Sequence, residues 1–288
     1  MSRVTIGVPV FNGENWLAAT VNSVLDQTFA DLKVVICDNA STDGSAEIAS
    51  ALVKQDERIT YHRNQENVGV FRNFDRAFEL SDSEFFKWCA VGDLIDKSFV
   101  ARAVEALDRR QDAVLAYSQT ELFGEFSDKP EIQDVEMELD VPDAVARYRA
   151  YFGNCRLNNL FHGLIRSDAL SRTGLNKRFR GSDQCVVAAL LLRGPFVRLG
   201  GKLLYRRVDV DTSTARKSAS ELRDFFSSDL RALDQLPTWK FQLQLFVDLL
   251  RSPLRYSEKL TLVKFLIKKS IWRRRELVEE ARHYLLRH

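Results

Sequence analysis

Residues 83–96 read S-E-F-F-K-W-C-A-V-G-D-L-I-D, and the reading of this stretch decides the fold. Phe85–Ala90 is a short, mostly apolar run of the kind that forms a strand covered on both faces. It opens into Gly92-Asp93, with a second acid at Asp96. In an open α/β sheet, ligands sit outside the carboxyl ends of parallel strands, so a buried strand ending in carboxylates predicts a metal or phosphate site. Taken alone, Gly-Asp is equally a plain turn, since both residues suit turn backbones. The flanking chain has to decide between the two.

Upstream, the chain alternates strand and helix patterns. Val4–Val10 predicts a first strand, Trp16–Leu25 a helix capped by Asn15 or Asn12, and Leu32–Cys37 a second buried strand. Ala46–Lys54 reads as a helix, Ile59–His62 as a half-exposed strand and Val70–Leu80 as an amphipathic helix. Downstream of the opening stretch come a helix over Phe99–Arg109, which Asp96 can start as a cap, and a strand over Ala113–Tyr117. Strands alternating with helices of this length predict a mostly parallel α/β sheet flanked by helices, a Rossmann-like arrangement.

Past Ser118 the pattern loosens. Glu125–Asp143 is acidic and contains proline, so it reads as a long excursion. Ala144–Tyr151 reads as a helix, Leu160–Ile165 as a strand, Asp168–Ser171 as a helical turn and Gln184–Leu192 as an apolar helix. Phe196–Leu199 and Lys202–Arg206 predict two short strands, and beyond Ser213 the chain reads as helical and charged. The expected organisation is a domain over 1–212, with halves 1–118 and 119–212, followed by a basic helical region over 213–288. Residues 251–288 hold eleven Lys/Arg against four Asp/Glu, a net +7, which leaves the first 250 residues at −5.

The four cysteines, Cys37, Cys89, Cys155 and Cys185, are widely spaced and form no metal-ligand pattern. They predict buried free thiols in a reducing compartment. The chain opens almost directly on a strand, which predicts no signal peptide and a cytoplasmic location. No apolar run approaches the roughly 20 residues of a membrane-spanning helix.

If the first strands are parallel, the loops Phe11–Glu14, Asp38–Ser45 and Val91–Asp96 share one sheet edge. Their crevice would collect Asn12, Asp38, Asn39, Asp43, Asp93 and Asp96, with Arg72 and Asn73 arriving from a helix start. Acids with an arginine suit a divalent cation bridging to a diphosphate. Neither a Walker motif nor a GxGxxG fingerprint is present.

Five segments together carry a resemblance: V-T-I-G-V-P-V-F-N-G-E, V-V-I-C-D-N-A-S-T-D-G-S, N-V-G-V-F-R-N-F, E-F-F-K-W-C-A-V-G-D and G-S-D-Q-C-V-V-A-A-L-L-L-R-G. In this order and spacing, over roughly residues 3–207, the chain resembles a family 2 glycosyltransferase of GT-A fold. The resemblance implies an inverting transfer from a nucleotide-sugar, with Mg²⁺ or Mn²⁺ as the usual cofactor and a UDP-, dTDP- or GDP-sugar as donor. It implies that Pro9, Phe11, Asn12 and Glu14 line the nucleotide pocket and that Arg72, with Asn73 beside it, reaches the base or phosphates. Asp38-Asn39 matches the family's Asp-Asp, and the Asn39 amide oxygen could accept from a pyrimidine N3–H. The family's Asp-x-Asp metal motif falls on Ala90-Val91-Gly92-Asp93, which leaves Asp93 as the one metal ligand. Asp183 falls at the catalytic carboxylate, where it would take the acceptor hydroxyl proton; it also suits a cap on the helix that follows. Ser182 stands where the family often has another acid.

The resemblance also places His162, Arg206 and Arg207 near donor phosphates or acceptor, although a core histidine and solvated arginines account for them too. Trp88 and Cys89 read as core. Trp239–Leu250 and Lys259–Ile271 combine apolar spacing with Lys/Arg around Trp272, which suits an anionic membrane surface or a solvated basic face. The expected partners are a nucleotide-sugar donor, a glycan or lipid-linked acceptor in surface polysaccharide assembly, and the inner face of a membrane touched through 239–288. Nucleic acid is not expected, because basic residues and stacking aromatics do not interleave across the body. A catalytically inactive GT-A scaffold is the alternative that Ala90, Gly92 and Ser182 motivate. A nucleotidyltransferase would need a Gly-rich basic loop after the first strand, and Phe11–Asn15 has none.

Overall fold

Val4–Val10 (β1) is buried along its whole length, because it lies inside the sheet and has helices over both faces. The computed structural model describes residues 2–128, 136–209 and 236–287. Leu17–Leu25 (α1), Leu32–Asp38 (β2), Ser45–Gln55 (α2), Ile59–Arg63 (β3), Val70–Glu79 (α3) and Phe85–Trp88 (β4) complete the first half. β3, β2, β1 and β4 run parallel in that spatial order. The strand order therefore reverses direction between β1 and β4, and an open sheet of this kind forms its crevice at such a reversal.

The second half departs from a simple parallel continuation. Leu94–Ile95 (β5) is a two-residue strand, followed by Phe99–Arg109 (α4), Leu115–Phe123 (β6) and Ala144–Asn154 (α5). A 3-10 turn at Asn159–His162 leads into Leu164–Arg166 (β7), then Ser167–Ser171 (α6), Ser182–Leu191 (α7) and Phe196–Arg207 (β8). β7 lies antiparallel between β4 and β6, and β8 pairs parallel with β6 and antiparallel with β5. The last helices are Pro237–Arg251 (α8), Tyr256–Trp272 (α9) and Arg274–Arg287 (α10).

Two apolar layers cover the sheet. On one side α1, α2 and α4 contribute Leu17, Val21, Leu52 and Val104. On the other, α3, α5 and α7 share a core with Phe241, Leu245 and Leu249 of α8 and Leu262 and Leu266 of α9. The basic C-terminal helices thus complete the same core that covers the sheet.

Several expectations need correction. Asn15 and Asn12 do not cap α1; Trp16 holds that position without a side-chain bond. The strand expected at Phe85–Ala90 stops at Trp88. His162 lies in a 3-10 turn rather than on a strand, because the chain must bend before β7 enters the sheet. The two short strands expected after Pro195 are one strand, irregular opposite Gln119, with Gly201 in the left-handed region at φ 84°. The expected helix at Gln184 begins at Ser182, so Asp183 lies in its first turn and Gly181 is the cap. Asp96 does not cap α4 either: Ser98 holds that position without a side-chain bond, and Asp96 Oδ1 accepts from the Ser98 N–H at 2.9 Å in the turn before it. The expected boundary near residue 212 falls outside the described residues. All four cysteines are free thiols.

Gly7 marks where close packing limits the sequence. A Cβ there would come within 2.7 Å of Phe86 Cζ and 3.0 Å of Ala77 Cβ. Gly7→Ala is expected to cost about 1–3 kcal/mol by overpacking, read as a lower denaturant midpoint at constant slope. An unchanged midpoint would mean that the Phe86 ring has room to yield.

Candidate active site

Pairing between β1 and β4 ends at Gly7 and Trp88; β1 runs on to Val10 against β2, while the chain after Trp88 passes into a loop. The loop after β1 is fastened instead to the loop after β2. Asn12 sits at φ 52°, a conformation asparagine tolerates better than most residues. Its Oδ1 accepts from the Thr42 N–H at 2.8 Å, and its own N–H donates to Ser41 Oγ at 3.0 Å. Glu14 Oε2 accepts from the Gly44 N–H at 2.8 Å, beside the start of α2, where a carboxylate is favoured. Asp43 Oδ2 accepts in return from the Glu14 N–H at 3.0 Å. Burial opposes charge on Asp43, but bonds from Ser45 and the Glu14 N–H outweigh it and hold its carboxyl below the ordinary value. Pro9 is buried on β1 opposite Cys37, and Phe11 is half-buried at the loop start.

Amides fix the next layer. Asp38 is fully buried; its Oδ1 accepts from the Ser41 N–H at 2.9 Å and its Oδ2 from the Tyr61 hydroxyl at 2.7 Å. Burial, then the Asp38 bond, push the Tyr61 phenol up to about 12. Asn39 Oδ1 accepts from the Val68 N–H at 2.9 Å and from Asn64 Nδ2 at 3.1 Å, so both of its lone pairs face the 64–69 loop. Asn73 is buried and donates to the Cys37 carbonyl at 2.9 Å while accepting from Asn64 at 3.0 Å. Arg72 is bound along its own helix to the Glu79 carboxylate, at 3.0 Å for one pair of atoms.

A cluster of charge lies beneath the parted strands. Gly92, at φ 102°, turns the chain so that Asp93 faces inward. β5 then pairs Leu94 with Tyr205, which draws this loop onto the end of β8. Asp93 Oδ1 accepts from the Arg207 N–H at 3.2 Å, while Oδ2 is buried with no hydrogen-bond partner among the described residues. Burial raises the Asp93 carboxyl above its usual range, against the pull of Arg206, Lys87 and Arg207. Lys87 is fully buried on β4, donating to the His162 carbonyl and lying 4.9 Å from the Phe99 ring centroid. Burial lowers its ammonium to about 8. His162 is buried too, and burial, with Arg206 and Lys87 nearby, keeps its imidazole neutral. Arg207 packs over the Trp16 ring at 4.6 Å and pairs with Asp209 at 3.3 Å.

This set does not fit a protein-held Mg²⁺ or Mn²⁺. Such an ion wants several oxygen ligands, and Ala90 and Gly92 offer no side-chain oxygen. Asp93 has one oxygen on a backbone N–H, and the charges acting on the other are cationic. Among the described residues, no three His, Cys, Asp or Glu side chains gather as a metal would need.

Asp183 lies half-buried in the first turn of α7, after Gly181 at φ 85°. Its Oδ2 accepts from Asn158 Nδ2 at 2.8 Å, and Asn158 Oδ1 accepts from the Tyr151 hydroxyl at 2.9 Å. Ser182 is buried, with its hydroxyl accepting from the Lys177 N–H. The neighbouring Asn159 accepts from Arg206 Nη1 at 2.7 Å. Consecutive asparagines therefore hold Asp183 on one side and Arg206 on the other, and His162 of the same turn touches Lys87. The turn is held down by Phe161, stacked on Trp88 at 4.4 Å.

Lys87, Tyr151, Asn158 and Asn159 escaped the sequence reading. A lysine inside F-F-K-W-C-A was the available signal, because a cation on a strand covered on both faces must have a reason. The asparagine pair sits in an irregular stretch with no periodicity to place it.

The protein-family description "Glycosyl transferase family 2" matches residues 5–178. A Campylobacter jejuni GalNAc(5)-diNAcBac-PP-undecaprenol beta-1,3-glucosyltransferase is 22% identical over 222 residues, covering 76% of this chain and 70% of that protein. Glycosyltransferase GlyA of Streptococcus pneumoniae is 30% identical over 98 residues, 34% of this chain. This chain spans only a small part of several such relatives, 14% of GlyA and 42% of the pneumococcal GlyG. The structure of Staphylococcus aureus TarS 1-349 in complex with UDP superposes with a TM-score of 0.69 at 15% identity, covering 93% of this chain and 71% of that one. The sheet and its flanking helices thus have the GT-A fold that the sequence led us to expect.

Asp75 on α3 ties the approach to Asp183 in place, its Oδ1 accepting from Asn176 N at 3.1 Å and Nδ2 at 2.7 Å. Burial raises its carboxyl from 3.8 to about 6. The folded protein therefore holds this proton more tightly than the unfolded chain, and the group's contribution falls as pH rises from about 4 to 6, by about 3 kcal/mol in all. Asp75→Asn is expected to remove that slope and to melt above wild type at pH 7. Parallel stability–pH curves for the two proteins would rule this out.

Proposed function

The chain belongs to glycosyl transferase family 2, and on that premise we propose that it moves a sugar from a nucleoside-diphosphate donor to a glycan or lipid-linked acceptor. The observation that carries this reading is the Asn158-Asn159 link between Asp183 and Arg206. It joins a positioned carboxylate to a cationic strand end across one dipeptide. Transfer with inversion needs a base at the attacking oxygen and positive charge at the leaving diphosphate. Asp183 takes the proton of the acceptor hydroxyl as that oxygen bonds to the anomeric carbon. The bond from that carbon to the diphosphate oxygen breaks on the opposite face, and the nucleoside diphosphate leaves. Asn158, itself held by Tyr151, keeps the carboxylate turned for the task, as a base needs. Donors carrying uracil, thymine or guanine all remain within this reading.

Asp183→Asn is expected to lower transfer, or hydrolysis of the donor in its absence, by about 10²–10⁴-fold, with the melting temperature nearly unchanged. The inactive-scaffold reading draws on Ala90, Gly92 and the structural role of Ser182. It would gain if no UDP-, dTDP- or GDP-sugar is turned over by the wild-type chain.

A lipid-linked acceptor also suits the C-terminal helices. Leu243, Leu250, Ile271, Trp272, Leu285 and Leu286 are exposed there among many Lys and Arg side chains. Among the described residues no helix is long and apolar enough to cross a membrane, so contact would be at the surface, on the inner face. Sedimentation with vesicles is expected to require anionic lipid and to weaken with salt. Equal binding to zwitterionic vesicles, or none to either, would count against it.

A further inference from the structure

The charge around Asp93 is the reverse of what a divalent-ion site presents. Three cations, Lys87, Arg206 and Arg207, stand against two carboxylates, Asp93 and Asp209, and His162 between them is neutral. Each piece is held by something other than a ligand. β5 fastens the Asp93 loop to β8, Asn159 holds Arg206, Trp16 supports Arg207, and the His162 carbonyl holds Lys87. Arg206 and Arg207 are half-buried at the strand end, while Lys87 lies fully buried behind them. A buried ammonium has no water to screen it, so its field acts on whatever lies against Arg206 and Arg207. It is also costly to keep there unless the fold uses it.

Resting on the donor-site reading above, we infer that this chain's own cations receive the donor diphosphate. Arg206 and Arg207 contact its oxygens, and Lys87 contributes charge from behind, so that no divalent ion is needed. Guanidinium groups match phosphate oxygens in geometry and stay charged at every working pH. Lys87 touches no ligand and acts through the field it adds. Asp93 is the internal counter-ion that keeps the cations together in the absence of nucleotide. The places of the missing acids, Ala90 and Gly92, fit this arrangement, because carboxylates there would repel an uncomplexed diphosphate. Gly92 has a further reason to be glycine: a Cβ there would lie 3.0 Å from Arg207 Nε.

The test uses the full chain and calorimetric titration with UDP, dTDP and GDP and the matching monophosphates, in EDTA and in MnCl₂. At least one diphosphate is expected to bind in EDTA within about threefold of its affinity in Mn²⁺, and more tightly than its monophosphate by about tenfold. Arg206→Gln and Lys87→Met are each expected to weaken the diphosphate about tenfold while changing the monophosphate little. A merely structural role would weaken both alike. Methionine has nearly the volume of lysine and no charge to bury, so Lys87→Met is expected to fold; if it does not, Arg206→Gln carries the test. Diphosphate binding that appears only with Mn²⁺, or variants that bind as wild type does, would overturn the inference while leaving the donor site standing. Failure of every nucleotide to bind in both conditions would instead remove the donor-site reading, and the inference with it.

Discussion

Backbone pairing between β1 and β4 stops at Gly7 and Trp88, and the polar side chains past that point depend on it. Past that point β1 stays paired with β2 to Val10, and the loops that follow the two strands find different partners. The loop after β1 is sewn to the loop after β2 through Asn12, Glu14, Asp43 and Ser45. The loop after β4 is drawn the other way by β5 and ends on β8. The two loops still meet, since a Cβ on Gly13 would lie 2.9 Å from Val91 Cγ1, and each is held by its own bonds, so a ligand at this edge would find its partners already placed.

Amides recur around the strand ends, and one of them, Asn39, stands where the resemblance places an acid. Asn39, Asn64, Asn67 and Asn73 form one connected set, and Asn158 and Asn159 another. An amide both donates and accepts, so it can bridge two groups that a carboxylate could only receive from. Around the strand ends this chain uses amides to build and reserves charge for a few positions.

The sequence carried the first half of the fold well, because β1, β2 and β4 are apolar runs separated by helices of regular spacing. It carried the second half poorly, since β7 is three residues long and β5 two, too short for any periodicity to register. The roles of site residues divide the same way. Positions such as Asp93 and Asp183 stand out because motif spacing marks them. What the spacing could not convey is whether an atom is already engaged: Asn39 Oδ1 is occupied within the fold, and Arg72 is held by Glu79. Hydrogen-bond occupancy depends on which side chains the fold brings together, and only folded geometry reveals it.

One helix joins matters that chemistry would keep apart. Phe241, Leu245 and Leu249 of α8 enter the core beside α7, and a Cβ on Gly181 would lie 3.3 Å from the Phe241 ring. Its opposite side presents Trp239, Leu243 and Leu250 outward. The turn that aims Asp183 is therefore bedded on the inner face of a helix whose outer face is greasy. For an enzyme whose acceptor is tethered to a surface, distance along the tether is a selection rule. Under the proposed function, the helix that beds the Asp183 turn and carries the exposed Trp239, Leu243 and Leu250 would fix how far that carboxylate stands from such a surface.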